Sequence, residues 1–331
     1  MIQPLAVSMG DPAGIGPEII AKAWDQRADC TLPPFFAVGD VRAVQAVWQG
    51  PVCPIREPAE AAAAFDSGLP VLGVADGGEI VPGHPDVDGA RCALHALELA
   101  QGLVRSGAAG ALVTGPVSKA QLYQIGFSHP GQTEFVAERC GISAENAVMM
   151  LAGPDLRVVP ITTHVPLSAV PGLLTIELVA AKGRATARGL IRNFGILNPR
   201  IAFAGVNPHA GESGKIGREE IDILIPAIEQ LRAEGINATG PFAADTMFHG
   251  RARATYDAAM CCYHDQALIP IKTLHFDEGV NITLGLPIVR TSPDHGTAFG
   301  IAGQNIAEPG AMIAAIVMAA EAAARRAATT A

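Results

Sequence analysis

Three of the nine histidines in this 331-residue chain share a local setting. His164 ends the run Val158-Val159-Pro160-Ile161-Thr162-Thr163, His209 follows the apolar segment 200–208, and His264 follows 258–263. Each run reads as a buried strand. Each imidazole is therefore expected just past a strand's carboxyl end, where a parallel sheet gathers its ligand-binding loops. Neutral imidazoles converging there could hold a divalent transition metal and leave one position open for substrate. The spacing matches no short metal motif such as HExxH, so three unrelated loop histidines are the competing reading. His84, His95, His129, His249, His275 and His295 share no setting and read as structural or surface residues.

Further groups bear on charge recognition. The stretch Gly10-Asp11-Pro12-Ala13-Gly14-Ile15-Gly16-Pro17-Glu18 follows a strand-like run and opens a helix-like one. Such a junction can turn backbone N–H groups toward an anion, which makes Gly10, Asp11, Gly14 and Gly16 candidate cofactor contacts. A plain tight turn is the alternative, since the glycines do not fall as GxGxxG. Thr114-Gly115-Pro116-Val117-Ser118-Lys119 is a second loop after a buried run. Lys272, Asn281 and Arg290 recur at equal spacing after His264 and offer cations to a carboxylate or phosphate. Gly211-Glu212-Ser213-Gly214-Lys215-Ile216-Gly217 resembles a P-loop only loosely, because Ile216 stands where Ser or Thr would meet magnesium.

These residues need a frame. Short apolar runs at 5–9, 35–38, 71–74, 111–114, 158–162, 200–204 and 258–263 read as strands. Helical patterns at 17–23, 87–106, 133–140, 176–194, 218–234 and 310–327 alternate with them, so a layered α/β fold is expected. In 218–234, Glu219 and Glu220 open the helix, Gly235 follows it, and Ile221, Leu224, Ile225, Ile228 and Leu231 form the expected core stripe. The stretch 57–64 reads as a surface helix.

Hydrophobic residues make up 49% of the chain and charged residues 17%, enough for a sizeable core and against disorder. The formal net charge of -9 disfavours nucleic acid as a partner. The six cysteines show no CxxC spacing and read as small hydrophobes in a reducing compartment. Asp11 lies early in a segment without a basic start, so no signal peptide is expected. The longest uncharged stretch, 158–176, contains three prolines and His164, which argues against a membrane span. A cytoplasmic protein is expected.

Taken together, the motifs GDPAGIGPE (10–18), TGPVSK (114–119), GQTE (131–134), TTHVPL (162–167), NPHAGE (207–212), ADT (244–246), YHDQ (263–266) and GVNITLGLPIVRTSPDHGTA (279–298) resemble those of the 4-hydroxythreonine-4-phosphate dehydrogenase (PdxA) family. The resemblance implies a three-layer α/β/α fold like that of isocitrate and isopropylmalate dehydrogenases, with two subdomains and the active site in the cleft between them. It further implies a discontinuous division, 1–125 plus 290–331 against 126–289. A homodimer is implied, with His164, His209 and His264 as metal ligands drawn from both subunits. Gln132, Thr133, Lys272, Asn281 and Arg290 match substrate-binding positions. NAD or NADP would be the oxidant, with one zinc, magnesium or cobalt ion per site.

The implied reaction oxidises 4-phosphooxy-L-threonine to a β-keto acid that loses carbon dioxide to give 3-amino-2-oxopropyl phosphate, in pyridoxal 5'-phosphate biosynthesis. Asp245, Asp265, Lys215 and Lys119 are candidates for proton transfer. Two departures stand out. Gln132 occupies the family's usual His position, and Ala267 a common Gly position. Glutamine keeps a donor and an acceptor but cannot carry a proton's charge. A relative acting on a threonate phosphate or an aromatic cis-dihydrodiol carboxylate therefore stays open. So does a phosphotransacetylase-like phosphate binder, which would need no gathered histidines.

Overall fold

The structure, a computed structural model, describes residues 3–74, 78–143 and 146–330. The chain divides into two compact units, Met1–Gly141 with Leu286–Ala331, and Ile142–Gly285. Residues 126–141, assigned to the second unit from the sequence, cluster with the first.

The first unit is built on β1 (Leu5–Ser8), β2 (Phe35–Gly39), β3 (Val52–Ile55), β4 (Leu69–Gly73) and β5 (Leu112–Thr114), in the order β3-β4-β2-β1-β5 with every neighbouring pair parallel. All residues of β1, β2 and β5 are buried, as strands covered on both faces must be. The helix Val87–Arg105 packs on β1 and β2 through Ala93, Ala96, Leu97 and Ala100. Its first turn is closed by Asp86, whose carboxylate accepts from the Gly89 N–H at 2.7 Å.

The second unit carries β6 (Val148–Ala152), β7 (Arg157–Pro160), β8 (Ile201–Ala204), β9 (Ala238–Phe242), β10 (Ala258–Cys261) and β11 (Val280–Leu284), in the order β11-β6-β7-β10-β8-β9. Here β7, β10, β8 and β9 run parallel, while β6 is antiparallel to both β7 and β11. The last strand, β12 (Arg290–Pro293), returns to the first unit and pairs parallel with β5. The C-terminal helix Gly310–Thr330 packs against it, and the Thr291 hydroxyl donates to the Ala315 carbonyl at 2.8 Å.

The expected helix over 218–234 is corrected. It opens as a wide turn, Glu220–Leu224, and only then continues as an α-helix, Ile225–Ala233. Pro226 lacks an N–H and its ring would meet the carbonyl one turn back, so the regular ladder cannot run through it. The extra residue in that turn rotates the stripe. Ile225, expected in the core, is 37% exposed, and Ala227 is buried instead. The stretch 57–64 forms two short helical segments, Pro58–Glu60 and Ala61–Ala64. All six cysteines are free, and no helix among the described residues is long and apolar enough to cross a membrane.

Phe203 is fully buried on β8, and its ring approaches Gly183 of the helix Ile176–Phe194. Phe203→Ala is expected to cost about 3–5 kcal/mol, read as a lower urea midpoint with an unchanged m-value.

Candidate active site

In the second unit, β10 lies between β7 and β8, and all three are parallel. The carboxyl ends of β7, β10 and β8 lead into His164, His264 and His209 respectively, so the topology brings the three histidine-bearing segments to one edge of one sheet. Side chains stitch these ends together. The Thr162 hydroxyl donates to the Cys262 carbonyl at 2.8 Å, joining the β7 and β10 ends. The Gln266 amide accepts from the Cys262 N–H at 2.6 Å and donates to the Gly205 carbonyl at 2.8 Å, joining the β10 and β8 ends. Burial, reinforced by Glu220, pushes the Cys262 thiol well above its usual range, so it stays a neutral packing group that donates to Ala204.

His164 stands at φ +33° and brings its ring to 5.6 Å from that of His264, centroid to centroid. Both line a pocket of about 320 Å³ with Thr162, Tyr263 and Asp265. His264 Nδ1 lies 2.7 Å from the Asp265 carboxylate. A carboxylate only accepts, so Nδ1 is the donor here, and a neutral ring so paired turns Nε2 outward as its acceptor, the tautomer a metal ligand needs. His209 Nδ1 lies 3.1 Å from Glu212. His209 does not line the pocket, however, and its side chain is 68% exposed. Among the described residues no three His, Cys, Asp or Glu side chains gather as a ligand set. One chain thus brings two of the expected three imidazoles together.

His209 sits on an unusual loop. His209, Ala210, Gly211, Glu212 and Ser213 all have positive φ, between 44° and 79°. Each non-glycine residue there costs roughly 1–2 kcal/mol, so the conformation must be imposed by its surroundings. Glu219 and Glu220, expected as helix-opening charges, point at this loop instead. The Glu220 carboxylate accepts from the Asn207 N–H at 2.8 Å and from Asn207 Nδ2 at 2.9 Å, while Glu219 accepts from the same Nδ2 at 2.7 Å. That hydrogen bond holds the Glu219 carboxyl below its ordinary range.

A second cluster forms within the first unit. Arg290 opens β12, is 3% exposed, and donates to Thr114 Oγ1 at 2.7 Å and to Thr133 Oγ1 at 3.2 Å. Burial lowers its pKa to about 10, partly opposed by Glu134, so the guanidinium stays charged at neutral pH. Gln132 opens the helix Gln132–Arg139 and donates through Nε2 to the Gly115 carbonyl at 3.1 Å. Its Oε1 is buried with no hydrogen-bond partner. In the second unit, Asn281 Oδ1 on β11 is a buried acceptor in the same condition. Each is a buried acceptor that a ligand's donor could satisfy. Neither Thr114 nor Glu220 was named as a site residue from the sequence, where Thr114 only opened a loop and Glu220 only a helix. The signal for Thr114 was its place in the TGPVSK motif, and for Glu220 its place directly after a glycine-rich loop.

The glycine loop at 10–18 is shaped by close packing. A Cβ on Gly10 would lie 2.1 Å from the Pro116 carbonyl oxygen, and one on Gly16 2.0 Å from that of Met9. Gly14 packs on Thr297, and Asp11 accepts from the Ala13 N–H at 3.1 Å. Lys272 lies on the helix His264–Leu274 and is half-buried. Lys119, Lys215 and Asp245 are exposed, and Asp265 alone of the four proton-transfer candidates lines the histidine pocket.

Asp11 is 1% exposed, and burial raises its pKa from 3.8 to about 6, with Asp86 adding to the rise and the Ala13 N–H opposing it. The folded chain therefore holds an extra proton between about pH 4 and 6. Stability falls as pH rises through that window, and above it the buried carboxylate is a standing cost. Asp11→Asn keeps the acceptor for Ala13 and is expected to raise the melting temperature at pH 8, by a free energy of up to about 3 kcal/mol. The gain should vanish near pH 4. A gain independent of pH would contradict the buried-carboxylate account.

The chain matches the family model described as pyridoxal phosphate biosynthetic protein PdxA over residues 32–319. It is 60% identical to the 4-hydroxythreonine-4-phosphate dehydrogenase of Zymomonas mobilis subsp. mobilis, across 98% of this chain and 97% of the relative. Its fold is similar to that of the 4-hydroxythreonine-4-phosphate dehydrogenase from Klebsiella pneumoniae, with TM-score 0.87, 37% identity and 98% of each chain covered. It is also similar to a terephthalate 1,2-cis-dihydrodiol dehydrogenase from Burkholderia xenovorans, with TM-score 0.66, 29% identity and coverage of 97% and 98%. With the paired imidazoles and the buried Arg290 cluster both falling on its motifs, the chain belongs to the PdxA family.

Proposed function

We propose that the chain is an NAD(P)- and divalent-metal-dependent dehydrogenase that oxidises 4-phosphooxy-L-threonine in pyridoxal 5'-phosphate biosynthesis, in the cytoplasm. The carrying observation is the His164–His264 pair at neighbouring strand ends, beside the Asp265 carboxylate in one pocket. These nitrogen donors suit zinc or cobalt, with magnesium the harder alternative. Among the described residues the pocket holds two of the three imidazoles, and His209, exposed outside it, would complete the set from a second copy in a homodimer with a shared site.

A divalent ion there would lower the pKa of the substrate's C3 hydroxyl and later draw electrons as carbon dioxide leaves. A bound nicotinamide cofactor would supply the hydride acceptor for C3, and that redox chemistry is the cofactor's own. The protein's own part is binding and proton handling. Arg290, already desolvated, offers its planar fork to the phosphate or carboxylate, with the Thr133 hydroxyl beside it. Lys272 supplies a second cation. Gln132 Oε1 and Asn281 Oδ1 await donors, which the substrate's ammonium and hydroxyl groups provide. Asp265 fixes the His264 tautomer and is the pocket's candidate to take the hydroxyl proton. Asp245, Lys215 and Lys119 are the remaining proton-transfer candidates. The loop bearing Gly10, Asp11, Gly14 and Gly16 would meet the cofactor through backbone N–H groups.

Gln132 also favours a second reading. A neutral amide hydrogen-bonds hydroxyl groups as readily as a phosphate ester and demands no phosphate, so a dihydrodiol carboxylate or threonate phosphate is the runner-up substrate. A substrate panel separates the two. The expected outcome is NADH or NADPH formation with 4-phosphooxy-L-threonine and none with the non-phosphorylated diol; the reverse would overturn the first choice. Arg290→Met should raise KM for the phosphorylated substrate by about 10–100-fold, the range expected for losing a hydrogen bond to a charged group. An unchanged KM would remove Arg290 from the anion site.

A further inference from the structure

We propose that Glu220 is a positioning residue: its buried carboxylate is the template around which the loop 205–217 is wound, and so decides where His209 stands. The inference rests on the reading of His209 as a metal ligand. The loop's glycines do not account for its shape, since four of the five consecutive left-handed residues carry side chains. What holds the loop lies inside it. Glu220 is 2% exposed and spends both oxygens on Asn207, one on the backbone N–H and one on the side-chain amide.

The loop closes on this pair from three sides. A Cβ on Gly211 would lie 2.6 Å from Glu220 Oε2, one on Gly217 2.2 Å from Asn207 Nδ2, and one on Gly205 3.1 Å from Glu220 Oε1. Glycine is thus present wherever the backbone wraps the Glu220–Asn207 core. Glu220 is itself anchored, because it begins the wide turn Glu220–Leu224 and Leu224 is fully buried. The helix therefore carries its position, through one carboxylate, into the loop that presents His209. Glu220 lines no part of the histidine pocket, so its effect is transmitted through the loop.

The test uses the full chain and two readouts, neither of them turnover. The first is amide hydrogen exchange in metal-free protein at Ala210, Lys215 and Ile216, whose N–H groups bond within the loop. Glu220→Ala should speed exchange there at least tenfold while β8 stays protected. The second is cobalt(II) titration followed by its visible spectrum, with His209→Ala as reference. Glu220→Ala should weaken cobalt by about 10–100-fold, the effect of removing a group that orients a ligand, with Glu220→Gln recovering part of the loss. Asn207→Ala removes the same side-chain contact from the loop side. It should shift both readouts in the same direction, and it decides the matter if Glu220→Ala does not fold. Unchanged loop exchange overturns the proposal. So does unchanged cobalt affinity in Glu220→Ala when His209→Ala weakens it. If His209→Ala leaves cobalt unaffected, the ligand reading fails by itself, and the exchange data still judge Glu220 as the loop's template.

Discussion

Registration of three parallel strand ends by buried hydrogen bonds is the constraint on which the rest of the second unit depends. Neighbouring strands lie about 4.8 Å apart, so β7, β10 and β8 deliver their following loops within reach of one another. Strand spacing alone leaves the loops free beyond the last ladder bond. Thr162 and Gln266 remove that freedom by extending side-chain bonds past the strands, to the Cys262 and Gly205 carbonyls. A buried amide such as Gln266 cannot shift without stranding two backbone groups, each worth roughly 1–3 kcal/mol. The histidine loops therefore inherit the rigidity of the sheet.

Electrostatics divides between the two units. The chain is acidic overall, yet one guanidinium is buried in the first unit beside two hydroxyls. A charge held away from water remains a strong partner for an anion, because no solvent competes for its donors. In the second unit the carboxylates of Asp265 and Glu212 act on imidazoles, setting which nitrogen keeps a lone pair. The first unit thus buries a guanidinium among hydroxyls, while the second sets carboxylates beside imidazoles. Gln132 adds a buried acceptor without a partner beside the guanidinium cluster.

Legibility followed burial and local chemistry. Fully buried apolar runs such as Leu5–Ser8 and Ile201–Ala204 were readable as parallel strands. The strands that escaped include β3 and β9, which carry Pro54 and Pro241 and end the order of their units. Proline cannot donate to a ladder, so a proline inside a short edge strand makes it look like a loop. The wide turn at Glu220–Leu224 was missed for a related reason: helical periodicity runs through 218–234 in the sequence, while Pro226 breaks it in space.

The amino-acid sequence by itself determined the α/β class, the family motifs, and the identities of the imidazoles, cations and amides available for chemistry, because residue type and short-range spacing are local properties. Only the tertiary structure decided that His164 meets His264 while His209 stands apart, that Arg290 is buried against Thr114 and Thr133, and that Glu220 turns inward to Asn207. Those facts depend on strand order and on which helix end faces which loop. They arise from burial and hydrogen bonding between residues 13 to 176 positions apart, which no local pattern encodes.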